Sequence, residues 1–73
     1  MSRTTKEAFG TRCRDLRNQT GLSQERFALM IGMDRSYYAS IETGSRNVTL
    51  ESIQKIASGF EISLAELFSG IDG

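Results

Sequence analysis

The segment 35–40 concentrates side chains that can form directed hydrogen bonds to a partner. If the segment is helical, Tyr38 faces inward and the outer face carries Arg35, Ser36, Tyr37 and Ser40. An arginine can bind the O6 and N7 atoms of a guanine with two hydrogen bonds, and small hydroxyl side chains allow close approach to a base edge or a phosphate. The pattern predicts a surface suited to the major groove of DNA. For Arg35 alone, a solvated surface cation is the alternative interpretation.

The sequence lacks the residues that metal binding, disulfide formation and common catalytic mechanisms require. It has no His and a single Cys, so we expect no Cys–His metal site, no imidazole base and no internal disulfide. No nucleophile–base pair, acid–base pair or phosphate-binding loop is visible, and we predict neither an enzyme nor a bound cofactor or metal. Cys13, Met30 and Met33 are interpreted as packing residues.

Length, composition and charge favour one small polarised domain. A chain of 73 residues, of which 38% are hydrophobic, can build one core. No apolar run approaches the ~20 residues of a membrane span and no secretory signal is visible, so we predict a cytoplasmic protein without a membrane partner. The net charge is zero, but residues 1–47 hold eight basic and five acidic side chains, whereas residues 48–73 hold one and four. This polarity suits a molecule that presents one end to a polyanion.

The sequence marks its helix boundaries clearly. Four residues typical of helix N-caps precede apolar-periodic segments: Ser23, Asp34, Thr49 and Ser63. Four glycines follow such segments and are interpreted as helix stops: Gly21, Gly32, Gly44 and Gly59. Apolar residues at helical spacing before Gly21 indicate one more helix. We predict an all-α, compact five-helix bundle in a single domain over residues 1–73, with helices at about 6–19, 24–31, 35–43, 50–58 and 64–69.

The helical spacing also predicts which side chains form the core. The expected core residues are Phe9, Cys13, Leu16, Leu22, Phe27, Ala28, Ile31, Met33, Tyr38, Ile41, Val48, Leu50, Ile53, Ile56, Ala57, Ile62, Leu64 and Leu67.

The second and third predicted helices form a helix-turn-helix pattern. The small Ala28 allows the two helices to approach, Gly32 permits the sharp turn, and the apolar residues between them fix the crossing angle. A purely structural corner between two helices has the same requirements and remains the alternative interpretation of this motif alone. The polar outer face of the third helix favours DNA binding.

Several short motifs from Gly21 to Phe68 resemble those of the Xre family of DNA-binding domains, the Cro and phage-repressor type. The matching residues fall in the family's order: Gly21-Leu22-Ser23-Gln24-Glu25, Ala28, Gly32, Ile41-Glu42, Gly44, Thr49, Ile56-Ala57 and Leu67-Phe68. The resemblance implies a lambda-repressor-like DNA-binding fold and an ion pair between Arg17 and Glu42. Tyr38 departs from the family, which usually has Ile or Val there. We therefore expect its ring to fit the core while its hydroxyl reaches water or a partner.

Within the family, Asp34-Arg35-Ser36-Tyr37 and Ser45-Arg46-Asn47-Val48-Thr49 are similar to segments of restriction–modification controller proteins. This similarity implies a homodimeric transcriptional regulator that binds a palindromic operator in double-stranded DNA and autoregulates its operon. The expected DNA-binding residues are Gln24, Arg35, Ser36, Tyr37, Ser40, Arg46 and Asn47. Arg35 is expected to read a base, Gln24 and Asn47 to meet phosphates, and Arg46 to meet a phosphate or enter the minor groove.

A dimer is also expected because one short recognition helix contacts too few base pairs for tight specific binding. The carboxy-terminal part offers apolar residues for the interface: Phe60, Leu64, Leu67, Phe68 and Ile71. That these residues only close the protomer core is the alternative. Two other functions stay open at this point, a phage- or host-type Xre repressor and an antitoxin-like module that binds a protein.

Overall fold

The computed structural model of the protein describes residues 4–71. The described part of the chain contains five α-helices and no β-strand, which confirms the predicted all-α fold. In chain order the helices are α1 (Thr5–Thr20), α2 (Gln24–Met30), α3 (Arg35–Thr43), α4 (Leu50–Phe60) and α5 (Leu64–Leu67).

The helices begin where side-chain oxygens satisfy unpaired N–H groups of the first turn. Ser23, Asp34, Thr49 and Ser63 each have extended backbone and accept a hydrogen bond from the backbone N–H three residues later. Thr4 does the same for α1, and the Glu7 carboxylate bonds the Thr4 N–H in return. All five helix starts are therefore local properties of the sequence.

One predicted helix stop is wrong. Gly59 lies inside α4, which continues to Phe60, and the left-handed residue that ends this helix is Glu61, with φ of 58°. A Cβ at position 59 would collide with Ile31 and touch the ring of Phe27. Gly59 is therefore required by close packing of α4 against the α2 end rather than by a turn. Other bounds differ slightly, since α2 ends at Met30 and α5 at Leu67.

All five helices contribute side chains to one core. Its fully covered residues are Phe9, Cys13, Phe27, Ala28, Tyr38, Ile41, Ile56, Ala57 and Leu67, all of them predicted. Two predicted core residues are wrong: Leu50 is 85% exposed and Leu64 is 50% exposed. Each occupies the first position of its helix. A side chain there projects away from the body of the bundle even when its spacing fits the apolar period.

The longest helix supports α3 by direct backbone contact. Gly10 of α1 is buried, and a Cβ there would collide with the carbonyl oxygens of Ile41 and Glu42 in the last turns of α3. Only glycine allows two helices this close at that point. The position of α3 is thereby fixed by α1 as well as by its neighbour α2.

Candidate nucleic-acid interface

Helices α2 and α3 form a tight helix-turn-helix unit. Gly32, with φ of 69°, lets the Met33 N–H reach back to the carbonyl of Ala28 at 2.9 Å, which closes the end of α2. The rings of Phe27 and Tyr38, one on each helix, pack with centroids 5.2 Å apart. The turn and this aromatic contact orient α3 relative to α2.

The first turn of α3 presents two uncommitted polar side chains. Arg35 and Ser36 are exposed, and neither side chain forms a hydrogen bond or ion pair with any residue between 4 and 71. The start of α3 is capped by Asp34, which accepts from the Tyr37 N–H at 3.0 Å. These two predicted DNA-binding residues are therefore available to an external partner.

Three other predicted DNA-binding residues contact one another. The Ser40 hydroxyl donates to the Tyr37 carbonyl at 2.6 Å and accepts from Arg46 Nε at 3.1 Å. The Arg46 guanidinium carbon lies 5.3 Å from the centre of the Tyr37 ring. The Tyr37 hydroxyl in turn accepts from the Ser52 hydroxyl at 3.3 Å. Sequence reasoning missed Ser52, because no local signal links it to a side chain fifteen residues earlier.

Gln24 and Asn47 are the two remaining predicted DNA-binding residues. The Gln24 side chain is half-buried, and its Nε2 donates to Glu42 Oε1 at 2.8 Å. Its amide is therefore partly used inside the protein, which the sequence did not predict. Asn47 is exposed in the loop between α3 and α4.

The buried carboxylate of Glu42, on α3, connects this helix to α1 and α2. Glu42 is 2% exposed and accepts from Arg17 Nε at 2.7 Å and from Arg17 Nη2 at 3.0 Å, so the pair is bidentate. Arg17 Nη1 also donates to the Leu22 carbonyl, and Arg14 Nε lies 3.9 Å from Glu42 Oε1. Burial by itself raises the pKa of Glu42, but Arg17 first, and the nearby Tyr38 and Gln24 side chains after it, outweigh burial and the pKa is lowered.

The expectation for Tyr38 is wrong in one respect. Its ring fits the core, but the side chain is completely buried and its hydroxyl does not reach water. The hydroxyl has no partner of acceptable hydrogen-bond geometry in the described part of the chain. Burial first, and the nearby Glu42 carboxylate second, raise the pKa of Tyr38, so this side chain stays neutral.

The predicted dimer residues lie at the end of α4, in α5 and just after it. Leu67 is fully buried in the protomer core, so its assignment to a dimer interface is wrong. Phe60 is half-buried and stacks on Phe27 with centroids 4.3 Å apart, and Ile71 is also half-buried against the core. Leu64 and Phe68 keep exposed apolar surface, 50% and 37% respectively.

Arg12 fastens α5 to α1. Its Nη2 donates to the Glu66 carbonyl at 2.7 Å and its Nε to the Leu67 carbonyl at 3.2 Å. A cation is well placed at carbonyls that end a helix.

Within residues 4–71, no helix is long and apolar enough to span a bilayer, and no three potential metal ligands of the His, Cys, Asp or Glu type come together.

The two-helix unit, its buried support and its exposed polar face define a helix-turn-helix protein. The family model described as helix-turn-helix, HTH_3, matches residues 14–67, more than half of the chain. The chain belongs to this Xre-type family, whose members bind DNA.

Two similar proteins confirm the resemblance to controller proteins, and a third is a phage repressor. The chain is 52% identical over 65 residues to control protein C.MunI of a Mycoplasma species, with 88% of each chain covered. It is 36% identical over 61 residues to the transcriptional repressor RstR of a cryptic CTXphi phage in Vibrio cholerae, with 84% of this chain and 55% of the repressor covered. The crystal structure of the restriction-modification controller protein C.AhdI from Aeromonas hydrophila matches with a TM-score of 0.81 and 48% identity, covering 85% of this chain and 90% of that one.

Proposed function

We propose that this chain is a sequence-specific transcriptional regulator that binds a palindromic operator in double-stranded DNA as a homodimer. The observation that carries the proposal is the exposed start of α3, where Arg35 and Ser36 have no partner in the described part of the chain. Such groups fit base edges, because a guanine offers two acceptors to one arginine and a serine can bond to any base. The buried Glu42 cluster holds this helix in place behind them.

The surrounding residues have positioning and phosphate-binding roles in this proposal. Arg46 and Asn47, in the loop after α3, meet phosphates on the flanking strand, and Gln24 meets a phosphate at the start of α2. Tyr37 and Ser40 lie between these contacts and Arg35. Phosphate contacts fix the register of the helix in the groove and base contacts select the sequence.

The homodimer uses the end of the molecule that carries α5. Leu64 and Phe68 are exposed there, and half-buried Phe60 and Ile71 lie beside the same core. In residues 48–73 acidic side chains outnumber basic ones, which favours keeping this end away from DNA. A symmetric pair separates the two recognition helices by one turn of DNA, about 34–36 Å.

Within this class we propose a restriction–modification controller that autoregulates its operon. The similarity to C.MunI extends over most of both chains, and C.AhdI matches in both fold and sequence. A phage-type repressor is the second candidate, favoured by the similarity to RstR. The neighbouring genes distinguish the two: a methyltransferase and a nuclease support the controller, and lysogeny genes support the repressor.

Binding to duplex DNA as a function of salt tests this proposal. Counterion release makes the logarithm of the association constant fall linearly with the logarithm of salt, by about 0.9 for each phosphate neutralised. With one Arg46 in each protomer, we expect a slope of about −2 or steeper. Weak, salt-independent binding would instead favour the protein-interaction module.

Substitution of the base-reading residue completes the test. Arg35→Ala is expected to cost about 1–3 kcal/mol on the selected operator and much less on random DNA. Equal losses on both duplexes would make Arg35 a phosphate contact and remove the proposed basis of specificity.

A further inference from the structure

The loop after α3 holds its arginine in a defined place without any DNA. Arg46 is exposed, yet Nε donates to Ser40 Oγ at 3.1 Å and the guanidinium carbon lies 5.3 Å from the centre of the Tyr37 ring. This distance is within the range of a cation–π contact. An arginine has five N–H donors, and this arrangement uses one of them within residues 4–71. Four N–H groups on the Nη atoms remain for an anion.

Tyr37, whose ring supports Arg46, is held at both its backbone and its hydroxyl. The Tyr37 backbone N–H donates to the Asp34 side chain at the start of α3, and the Tyr37 hydroxyl accepts from Ser52 Oγ at 3.3 Å. Ser52 belongs to the first turn of α4, where its N–H donates to Thr49 Oγ1 at 3.1 Å. Tyr37 therefore bridges α3 and α4, and the Arg46 loop lies between these two helices.

We propose that Tyr37 and Ser52 are positioning residues, which hold the Arg46 guanidinium beside α3 so that it is ready to bind a DNA phosphate. The inference rests on the proposed DNA-binding function and assigns a new role to Ser52. An arginine side chain that is surrounded by solvent loses rotamer freedom when it binds a phosphate. A contact that already holds the side chain in place reduces that loss. In this arrangement, Tyr37 increases DNA affinity through Arg46 rather than through a base contact of its own.

A double-mutant cycle tests this role on a mixed-sequence duplex of about 20 base pairs, two helical turns long. In the wild-type background, Tyr37→Leu removes the ring and is expected to lower affinity about two- to fivefold, the scale of an exposed cation–π contact. In the Arg46→Ala background, the same change is expected to have no further effect. A role in stability alone would lower affinity in both backgrounds, so the dependence on Arg46 distinguishes positioning from general destabilisation.

Conservative variants keep the test informative if Tyr37→Leu fails to fold. Tyr37→Phe retains the ring but loses the Ser52 bond, and Ser52→Ala loses the same bond from the other side. We expect these two variants to give equal, small losses that do not add when combined. Ser58→Ala, an exposed serine on the same helix, is the matched control and is expected to bind like the wild type.

Additive losses from Tyr37→Leu and Arg46→Ala would overturn the inference, because they would mean that Tyr37 contacts DNA independently. Additivity of Tyr37→Phe with Ser52→Ala would overturn it as well. A wild-type protein that ignores duplex DNA at low salt would overturn the proposed function and this inference together. Failure of the positioning role and failure of DNA binding itself therefore give different results in one set of titrations.

Discussion

At the scale of single residues, Glu42 has the widest structural influence. Its carboxylate accepts hydrogen bonds from Arg17 of α1 and Gln24 of α2 while it belongs to α3 itself. A buried ion pair adds little net stability when it is intact, but the loss of one partner leaves an uncompensated charge. The orientation of α3 and the stability of the fold therefore depend on the same group.

Removal of this carboxylate is expected to lower stability and DNA affinity together. Glu42→Ala leaves the Arg17 guanidinium, whose side chain is 12% exposed, without its anion, at a cost of about 3 kcal/mol. Thermal unfolding and duplex titration of the same sample check both effects. An unchanged melting curve would remove the ion pair from this account.

The pH dependence of stability follows from the lowered pKa of Glu42. The unfolded chain binds this proton near the usual glutamate pKa of about 4.3, whereas the folded chain binds it only at lower pH. The ionised group therefore stabilises the fold above pH ~4.3, and this contribution is lost as the pH falls through the folded pKa. Urea unfolding at several pH values should show the wild type losing its advantage over Glu42→Gln in acid. A constant difference would contradict the assigned shift.

At the scale of helices, local sequence signals determine where helices begin, whereas tertiary contacts determine which glycines are needed for close packing. The N-caps at Ser23, Asp34, Thr49 and Ser63 could be predicted because each cap bonds its own first turn. The role of Gly59 could not, because only the packed structure brings Ile31 and Phe27 against it. Which glycines end helices and which allow close approach is not encoded locally.

In the candidate site, too, some features could be predicted from the local sequence and others depend on helix packing. The exposed Arg35 and Ser36 follow from helical periodicity. The contacts of Gln24 with Glu42 and of Ser52 with Tyr37 join residues 18 and 15 positions apart, and such pairs depend on how the helices pack.

The left-handed residue at the end of α4 offers a stability test at the helix scale. Glu61 has φ of 58°, a conformation that costs a side chain with a Cβ about 1–2 kcal/mol. Because glycine recovers part of this cost but loses more chain entropy, Glu61→Gly should stabilise the fold by about 0.5–1 kcal/mol. Glu51→Gly, in the regular first turn of α4, is the control and should destabilise it. Melting curves at one protein concentration check both, and a lower melting temperature for Glu61→Gly would contradict the strain argument.

At the scale of the whole molecule, the exposed cations and the apolar residues proposed for the dimer lie in different parts of the chain. The exposed cations Arg35 and Arg46 flank the α3 face, and exposed Leu64 and Phe68 lie at the α5 end. Burial of Leu67 leaves the proposed dimer contact smaller than the sequence alone predicts. The dimer therefore depends strongly on each remaining apolar side chain.

Dimerisation is expected to weaken when one of these side chains is shortened. Leu64→Ser removes apolar surface worth roughly 1.5–3 kcal/mol when fully buried, so the dimer dissociation constant should rise about tenfold or more. Leu50→Ser, at the start of α4 and 85% exposed, is the matched control. Sedimentation equilibrium measures both variants. Equal dimer constants for Leu64→Ser and the wild type would place the interface elsewhere.

The most direct test of the central claim is selection of duplexes from a random library by the purified chain. If two copies of α3 read successive major grooves from a symmetric dimer, the enriched sequences should form an inverted repeat with half-sites centred about 10 base pairs apart. Each half-site should contain a guanine whose enrichment disappears with Arg35→Ala. Enrichment of a single unrepeated site, or no enrichment at low salt, would contradict the account.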